Sequence, residues 1–173
     1  DPTPAATRPP TDRLATARTH QRILAQVVIA PMPLPPSVNS AMDGYAVRHA
    51  DVAAGEATLR LVGEQFAGRA LGLRVGAGEC VRITTGAPMP EGADTVVIRE
   101  VVRVDGENIA IPAGIRAHAN VRRAGEDVRT GDAILAPGQV LTPARVATVA
   151  SLGIDQLIVP ARPTVAVFTT GDE

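Results

Sequence analysis

Short apolar runs separated by Gly, Asp and Pro make up the middle of the sequence, and this pattern predicts a β-rich fold. Runs of this length and spacing are typical of a small sandwich or barrel. Asp105-Gly106 predicts a tight hairpin, because a two-residue loop requires positive φ and this pair adopts it at little cost. The candidate strands are Thr58–Val62, Glu79–Ile83, Thr95–Val104 and Glu107–Ile111.

The segments on either side of this region have a less regular pattern. Leu14–Leu24 predicts a short helix that runs into an extended segment at 26–29. The prolines from Pro31 to Pro36 predict a stiff connector, since each fixes φ and pushes its predecessor toward extended geometry. Further along, Asp132–Leu141 predicts a second hairpin around Pro137-Gly138.

A helix is predicted to begin at Thr142-Pro143, because the Thr hydroxyl can cap the free N–H groups and Pro suits the first helical position. Gly153 suits a left-handed helix end, and a strand is expected at Ile154–Val159. Thr164–Phe168 is continuously apolar, which indicates a strand buried on both faces. Such a strand needs parallel neighbours that this chain does not contain, so we expect an α/β domain to begin here and the chain to be part of a longer protein.

Composition narrows the possible functions. The 173 residues suffice for one ordinary domain or two small ones, and 45% apolar residues can form a core. Residues 1–10 contain too little apolar surface to offset the entropy of ordering and are expected to form a disordered tail.

The net charge of −1 argues against nucleic-acid binding, and the aromatic content of 2% argues against stacking platforms for bases. Cys80 is the single cysteine, which excludes an intrachain disulfide; with no apolar stretch long enough to span a membrane, a cytoplasmic protein is expected.

The stretch Asn39–Val47 is the most informative part of the sequence. Asn39, Ser40 and Asp43 bring together three oxygen-bearing side chains, which suit a hard cation or a ligand hydroxyl. Asp-Gly is also an ordinary turn dipeptide, so Asp43-Gly44 alone is compatible with a purely structural turn.

Other segments carry candidate chemistry. Thr84-Thr85-Gly86 follows an apolar strand and could present hydroxyls and N–H groups to an anion, or it could be a simple strand end. Arg122-Arg123 could converge on one phosphate or form solvated surface. Gly171-Asp172-Glu173 follows the buried-type strand, the position where open α/β sheets bind ligands.

Four blocks of the chain, taken in order, resemble the N-terminal part of the MoeA family, the molybdopterin molybdenumtransferases. The resemblance covers nearly everything after about residue 20. The blocks are Asn39–Val47, Ile83–Asp94, Arg122–Asp127 and Thr170–Glu173.

The resemblance implies a mixed α+β, β-rich fold. By matching blocks, 11–29 and 132–161 would form a segmented elongated domain, and 30–131 a small β-barrel or sandwich inserted in it. Residues 162–173 would form only the first strand of a truncated α/β domain that binds molybdopterin.

The family's activity is implied for the full-length protein: insertion of molybdenum from molybdate into adenylylated molybdopterin, with Mg²⁺ and release of AMP. The cleft would lie between the protomers of a homodimer, other proteins of molybdenum cofactor biosynthesis are possible partners, and this chain alone is expected to be inactive. Asp43 and Glu173 match catalytic residues and metal ligands, while Thr85 matches a catalytic and cofactor-binding residue. The other implied cofactor-binding residues are Ser40, Arg122, Arg123 and Asp172, although Ala124 stands where the family often has a third basic residue.

Two other functions stay open from the sequence. One is a non-catalytic scaffold or interaction module of the same fold, a role that this fold serves in neuronal receptor clustering. The other is a stand-alone β domain that binds a small anion. His20, His49 and His118 share no ligand-like spacing, so a histidine-based metal site is not expected.

Overall fold

The computed structural model describes residues 10–170, and these divide into two compact units. The first unit comprises residues 10–32 and 130–170, and the second comprises Pro33–Arg129. The β-rich pattern predicted from the sequence is confirmed. The strands, in chain order, are β1 (Thr11–Ala15), β2 (Val28–Ile29), β3 (Asn39–Ser40), β4 (Gly44–Val47), β5 (Ala57–Gln65), β6 (Glu79–Ile83), β7 (Thr95–Ile98), β8 (Arg103–Asp105), β9 (Asn108–Ile111), β10 (Val121–Arg122), β11 (Ala133–Leu135) and β12 (Gln156–Pro160).

Helical structure in the described residues is sparse. The α-helix α1 spans Pro143–Ser151, and short 3-10 helices occur at Thr16–Arg18, His49–Asp51 and Arg99–Val101. Helix α1 begins as predicted: Thr142 is the N-cap, its hydroxyl accepts a hydrogen bond from the Arg145 N–H at 3.4 Å, and Pro occupies the first turn. Gly153, with φ of 73°, follows the helix in the left-handed region.

A six-stranded sheet in the order β7-β4-β6-β5-β9-β8 forms the centre of the second unit. Neighbouring strands are antiparallel, except that β5 and β6 run parallel. β10 and β3 form a separate antiparallel pair in the same unit. Because β5 and β6 are parallel, their carboxyl ends reach the same edge of the sheet, where Gln65 lies opposite Ile83.

Strand β4 is buried on both faces, which distinguishes it from an alternating surface strand. Tyr45 and Val47 belong to one core cluster, with Leu59, Cys80 and Ile109, while Ala46 belongs to another with Ile83 and Val96. Successive side chains of a strand point to opposite faces, so the sequence Gly-Tyr-Ala-Val places small and large apolar groups on both sides. Cys80 is fully buried in the first of these clusters, and burial raises the pKa of its thiol to about 12.

The first unit has a smaller core of its own. β1 pairs with β12 and β2 pairs with β11, both antiparallel. Helix α1 contributes Val149 to the core and partly buries Val146, whereas Ala150 is exposed. The buried residues are Leu24, Val28, Leu135, Leu141, Val149, Leu157 and Val159.

The helix predicted at Leu14–Leu24 is wrong. The backbone of Thr11–Ala15 pairs instead with Gln156–Pro160, far along the chain. Two buried threonines then stabilise a 3-10 turn: the Thr16 hydroxyl donates to the Ile154 carbonyl at 2.7 Å, and the Thr19 hydroxyl donates to the Thr16 carbonyl at 2.7 Å. Side chains that hydrogen-bond to the backbone compete with a regular helix.

Three strand predictions also need correction. Thr95–Val104 is interrupted by the 3-10 helix at Arg99–Val101, so it forms two strands. The predicted Asp132–Leu141 hairpin keeps its turn at Gly138, but β11 pairs with β2 and Val140 forms a bridge with Ile23. The predicted buried strand Thr164–Phe168 is not a strand, and its side chains are exposed, Val167 by 88% and Phe168 by 82%. A strand of this type needs sheet neighbours, and none pairs with it within residues 10–170.

The hairpin between β8 and β9 is confirmed with a shift of one residue. Asp105 pairs with Asn108, so Gly106-Glu107 forms the loop, and Gly106 has φ of 57°. The Pro31–Pro36 connector contains one cis peptide bond, between Leu34 and Pro35. Of the predicted tail at residues 1–10, only Pro10 lies within the described residues.

Gly44 is required by the close approach of β4 and β7. A Cβ atom built on Gly44 would lie 2.0 Å from the Val97 carbonyl oxygen and 2.9 Å from its carbon. Both atoms belong to the backbone of the neighbouring strand, so a rotamer change cannot relieve the overlap.

We expect Gly44→Ala to lower the free energy of unfolding of the second unit by at least about 3 kcal/mol, since β4 and β7 must separate to admit the methyl group. Gly63→Ala is a matched control in β5, because its nearest atom, at 3.3 Å, belongs to the movable Leu73 side chain. It should change stability by less than about 1 kcal/mol. Urea denaturation of both variants measures the difference, and equal stabilities would contradict the assignment.

Candidate functional site

Asp43 and Thr85, which are separated by 42 positions, form the centre of the candidate site. The Thr85 N–H donates to the Asp43 Oδ1 at 2.8 Å, and the Thr85 hydroxyl donates to the same oxygen at 2.9 Å. Both residues are exposed. Oδ2 of Asp43 has no recorded hydrogen bond from residues 10–170, so it is available to an outside ligand.

Sheet register explains why these two residues meet. Gly44, the first residue of β4, pairs with Ile83, the last residue of β6. Because the strands are antiparallel, the residue before β4 and the loop after β6 emerge at the same edge. Gly86, with φ of 78°, turns this loop, and its N–H donates to the Ser40 carbonyl at 2.8 Å.

The pKa of the Asp43 carboxyl lies below its ordinary value of 3.8. The largest cause is the hydrogen bond from the Thr85 N–H, followed by that from the Thr85 hydroxyl; the positive charges of Arg99 and Arg82 contribute less. Hydrogen bonds to the charged form of a carboxyl favour that form. Asp43 is therefore an anion throughout the neutral pH range.

Ser40 is buried beside this pair. Its hydroxyl donates to the Met42 carbonyl at 2.6 Å, and the Ser40 N–H donates to the Ala87 carbonyl at 3.0 Å. These contacts fix the turn that leads into Asp43. In this structure Ser40 thus organises the backbone of the site, and its hydroxyl is not directed at solvent.

Arg122 lies near the same segment, because β10 pairs with β3 and places Arg122 opposite Asn39. Its guanidinium donates to Asp127 at 2.6 Å and lies 3.8 Å from a Glu126 oxygen. The hydrogen bond that Arg122 donates to Asp127 is the main reason that the pKa of Arg122 is raised. Arg123 donates its backbone N–H to Glu126 at 3.0 Å. The two adjacent arginines therefore differ: Arg122 is held by acidic neighbours, whereas no ion pair of Arg123 is recorded within residues 10–170.

Two arginines near Asp43 were not singled out from the sequence. Arg82 lies on β6 and forms an ion pair with Glu64 at 3.0 Å; Arg99 follows β7 and pairs with Glu100 at 3.1 Å. The Arg99 N–H also donates to the Asp43 carbonyl at 3.2 Å. Alternation within β6 marks Arg82 as solvent-facing, but its closeness to Asp43 depends on strand pairing, which the sequence does not display.

A polar network around Asp94 was also missed. Its carboxylate accepts the His49 N–H at 2.8 Å and the Thr95 hydroxyl at 2.9 Å, and the Thr95 hydroxyl accepts the His118 N–H at 3.0 Å. The histidines are thus brought together with one acid, although they are 69 positions apart in the chain. Their contacts run largely to backbone groups, which agrees with structural roles.

The segment that leads to Asp43 has a further backbone contact. The Asn120 carbonyl accepts a hydrogen bond from the Ala41 N–H at 2.9 Å, two residues before Asp43.

The remaining predicted site residues, Asp172 and Glu173, lie outside the described residues. In residues 10–170 no cluster of three His, Cys, Asp or Glu side chains could hold a metal ion. A single carboxylate with one free oxygen nevertheless fits Mg²⁺, which keeps several waters and is commonly held by one or two carboxylates together with substrate phosphates. None of the helices in this part of the chain is long and apolar enough to cross a membrane.

The hydrogen bonds from Thr85 generate a pH prediction. A carboxyl whose folded pKa is depressed contributes stability above its unfolded pKa, and this contribution is lost as pH falls through the folded pKa. Thr85→Ala removes the hydroxyl donor, so the Asp43 pKa should move up toward its ordinary value, while Thr85→Ser should retain the depressed value. Carboxyl ¹³C NMR titration below neutral pH measures this, and an unchanged midpoint in Thr85→Ala would show that the hydroxyl has no part in the shift.

The chain matches the family model of the MoeA N-terminal region, domain I and II, over residues 3–153. Molybdopterin molybdenumtransferases of Haemophilus influenzae and Synechococcus elongatus are 39% and 38% identical to it, over 94% of this chain in both cases. Gephyrin of Dictyostelium discoideum is 30% identical over 88% of the chain. The matches cover 40%, 41% and 23% of these relatives, so the chain spans less than half of their length.

Solved structures agree with these matches. The MoeA protein of Pyrococcus horikoshii superposes with a TM-score of 0.83 at 30% identity, covering 89% of this chain and 42% of that protein. The β-rich fold with few helices is shared with that structure. The chain therefore belongs to the MoeA family, whose N-terminal region it matches.

Proposed function

We propose that this chain is the N-terminal part of a molybdopterin molybdenumtransferase, which inserts molybdenum from molybdate into adenylylated molybdopterin and releases AMP in a Mg²⁺-dependent reaction. The names of the relatives support the reaction class. The observation that carries the proposal is the Asp43–Thr85 pair, because it keeps one carboxylate charged, oriented and open to solvent.

Cleavage of a phosphoanhydride requires neutralisation of charge on the phosphate oxygens. Thr85 holds Oδ1 of the exposed Asp43 with two donors, which restricts rotation of the carboxylate and leaves Oδ2 for a ligand. Asp43 is thus the residue that would hold Mg²⁺, with Glu173 as a second proposed ligand. When bound, Mg²⁺ would neutralise the phosphate charge and polarise the bond to be cleaved.

Phosphate binding is proposed for the basic residues near this carboxylate. Arg123 is the stronger candidate of the predicted pair, since Arg122 would have to exchange Asp127 for a ligand phosphate. Ser40 supports the site through the backbone, and Asp172 is proposed to contact the cofactor. Arg82 and Arg99 add positive potential around Asp43, although each is already paired with a glutamate.

The wider organisation is proposed on the same basis. We assign the first unit to the segmented elongated domain and the second to the inserted β domain, with residues 162–173 beginning a cofactor-binding domain. A homodimer would complete the cleft, and the reaction would take place in the cytoplasm, together with other proteins of molybdenum cofactor biosynthesis.

The proposal is tested by placing this chain in the Haemophilus influenzae relative, in exchange for the region that it matches, and by assaying molybdenum insertion from molybdate. We expect the chimera to be active and Asp43→Asn to lower its rate at least about 100-fold, because the substitution keeps the shape of the side chain and removes its charge. Circular dichroism checks that the variant remains folded.

The matched control is Asp105→Asn, which removes an equal charge from the exposed β8–β9 hairpin and should change the rate less than about twofold. The chain by itself should show no insertion. Full activity of Asp43→Asn in a folded chimera would reject the enzymatic role and favour the non-catalytic scaffold.

A further inference from the structure

A second segment emerges at the edge of the sheet that carries Asp43. Gln65 ends β5 and lies opposite Ile83 in β6, while Ile83 in turn lies opposite Gly44 in β4. Adjacent strands are separated by about 4.8 Å, so Gln65 and Gly44 are roughly 10 Å apart across one intervening strand. The residues that follow Gln65 therefore begin within the reach of a nucleotide-sized ligand held at Asp43.

The side chain of Gln65 shapes this segment. Although it is only 2% exposed, its amide is used fully on the loop: Nε2 donates to the Phe66 carbonyl at 2.9 Å and to the Arg69 carbonyl, and Oε1 accepts the Leu71 N–H at 3.0 Å. One buried amide thus fixes the backbone at three points. Residues 66–71, here called the Gln65 loop, are exposed but tied by these contacts to a buried side chain.

The Gln65 loop is also attached to the candidate site. The Ala67 N–H donates to the Thr84 hydroxyl at 3.2 Å, and the Thr84 N–H donates to the Gln65 carbonyl at 3.2 Å. Thr84 immediately precedes Thr85, which holds Asp43. The loop and the Asp43–Thr85 pair are consequently parts of one hydrogen-bonded surface.

The outward side of the Gln65 loop presents a ring and a cation. Phe66, which is one of only two phenylalanines in the sequence, is 49% exposed, and Arg69 is exposed with no ion pair recorded within residues 10–170. The low aromatic content argues against an extended stacking platform for bases, so any stacking at this edge would involve the single ring of Phe66. The cavity between the loop and Pro88–Glu91 measures about 120 Å³. Ligand pockets usually exceed about 300 Å³, so a ligand would contact the outer surface and not this cavity.

We propose that the Gln65 loop is a recognition arm of the Asp43–Thr85 site, in which Arg69 binds a phosphate of the ligand and Phe66 stacks on the aromatic heterocycle of the same ligand. Gln65 is the positioning residue that holds both groups in place. This inference rests on the proposed function, and it adds the residues that recognise the substrate class: a phosphate ester that carries a flat heteroaromatic ring. Adenine and pterin both meet this description.

NMR titration of the chain with simple probes separates the two contacts. AMP with Mg²⁺ reports on ring and phosphate together, ribose 5-phosphate on the phosphate, and adenosine or free pterin on the ring. Arg69→Ala should lower the affinity for AMP and for ribose 5-phosphate about tenfold and leave the affinity for adenosine unchanged. Phe66→Ala should weaken the binding of AMP about fivefold, and equally that of adenosine or free pterin, whichever binds more tightly to the wild type. It should leave the affinity for ribose 5-phosphate unchanged. Arg103→Ala, which removes an exposed arginine from edge strand β8, is the control and should change each affinity less than about twofold.

The role of Gln65 is tested by non-additivity. Gln65→Ala should weaken the binding of ribose 5-phosphate as much as Arg69→Ala does. The double variant of Gln65 and Arg69 should bind no more weakly than either single variant, because Gln65 acts through Arg69. Amide hydrogen exchange at Ala67 and Leu71 should accelerate. Gln65→Glu, which retains the side-chain size and loses both donors, replaces Gln65→Ala if the latter fails to fold.

The outcomes distinguish the two proposals. AMP binding that is lost in Asp43→Asn but equal in wild type, Arg69→Ala and Phe66→Ala would overturn the recognition arm and retain the proposed site. Binding that depends on Arg69 and is indifferent to Asp43→Asn and Mg²⁺ would retain the arm and count against the proposed function. Absence of AMP binding at millimolar concentration, or additive effects of Gln65 and Arg69, would overturn the inference as stated.

Discussion

The close approach of β4 to β7 is the constraint on which the second unit depends. β4 lies between β6 and β7, both of its faces are buried, and Gly44 leaves no space for a side chain against the Val97 carbonyl. This contact fixes where β4 begins, and therefore where Asp43 emerges. Since β6 is antiparallel to β4, the same register brings Thr85 to Asp43. Asp43, the candidate functional residue, therefore directly precedes Gly44, the glycine that the packing of β4 against β7 requires.

The electrostatics around Asp43 are dominated by hydrogen bonds and not by neighbouring charges. Two donors from Thr85 hold one carboxylate oxygen, whereas Arg82 and Arg99 are each engaged by a glutamate and act more weakly. Exposed ion pairs contribute little to stability, so these arginines mainly shape the local potential. The same holds for Arg122, whose charge is already balanced by Asp127. Arg69 and Arg123, which form no ion pair within residues 10–170, are the two arginines that we propose as ligands of substrate phosphates.

The sequence predicts correctly those secondary-structure elements that depend on a few adjacent residues. The capped start of α1 at Thr142-Pro143, the extent of β6 and the tight β8–β9 hairpin each follow from a few adjacent residues. The wrong predictions concern segments whose structure depends on pairing with residues far away in the chain. The helix prediction at Leu14–Leu24 fails because β1, which ends at Ala15, pairs with β12, more than a hundred positions away. The hairpin predicted at Asp132–Leu141 fails for the same reason, since its first strand, β11, pairs with the distant β2. Thr164–Phe168 has the composition of a buried strand but no neighbours within residues 10–170.

The candidate site shows the same division. Sequence motifs indicate Asp43, Thr85 and the arginine pair, and the resemblance to the MoeA family implies that these residues share one site. The sequence by itself determined the β-rich composition of the fold, the absence of a disulfide within these 173 residues and the presence of a glycine where two backbones meet. Only the tertiary structure decided that Thr85 holds Asp43, that Asp127 engages Arg122 and that the buried Gln65 amide binds the backbone of the loop that follows it. Each of these depends on strand register between distant segments, because hydrogen-bonded pairing sets the position of a side chain and no single segment encodes it.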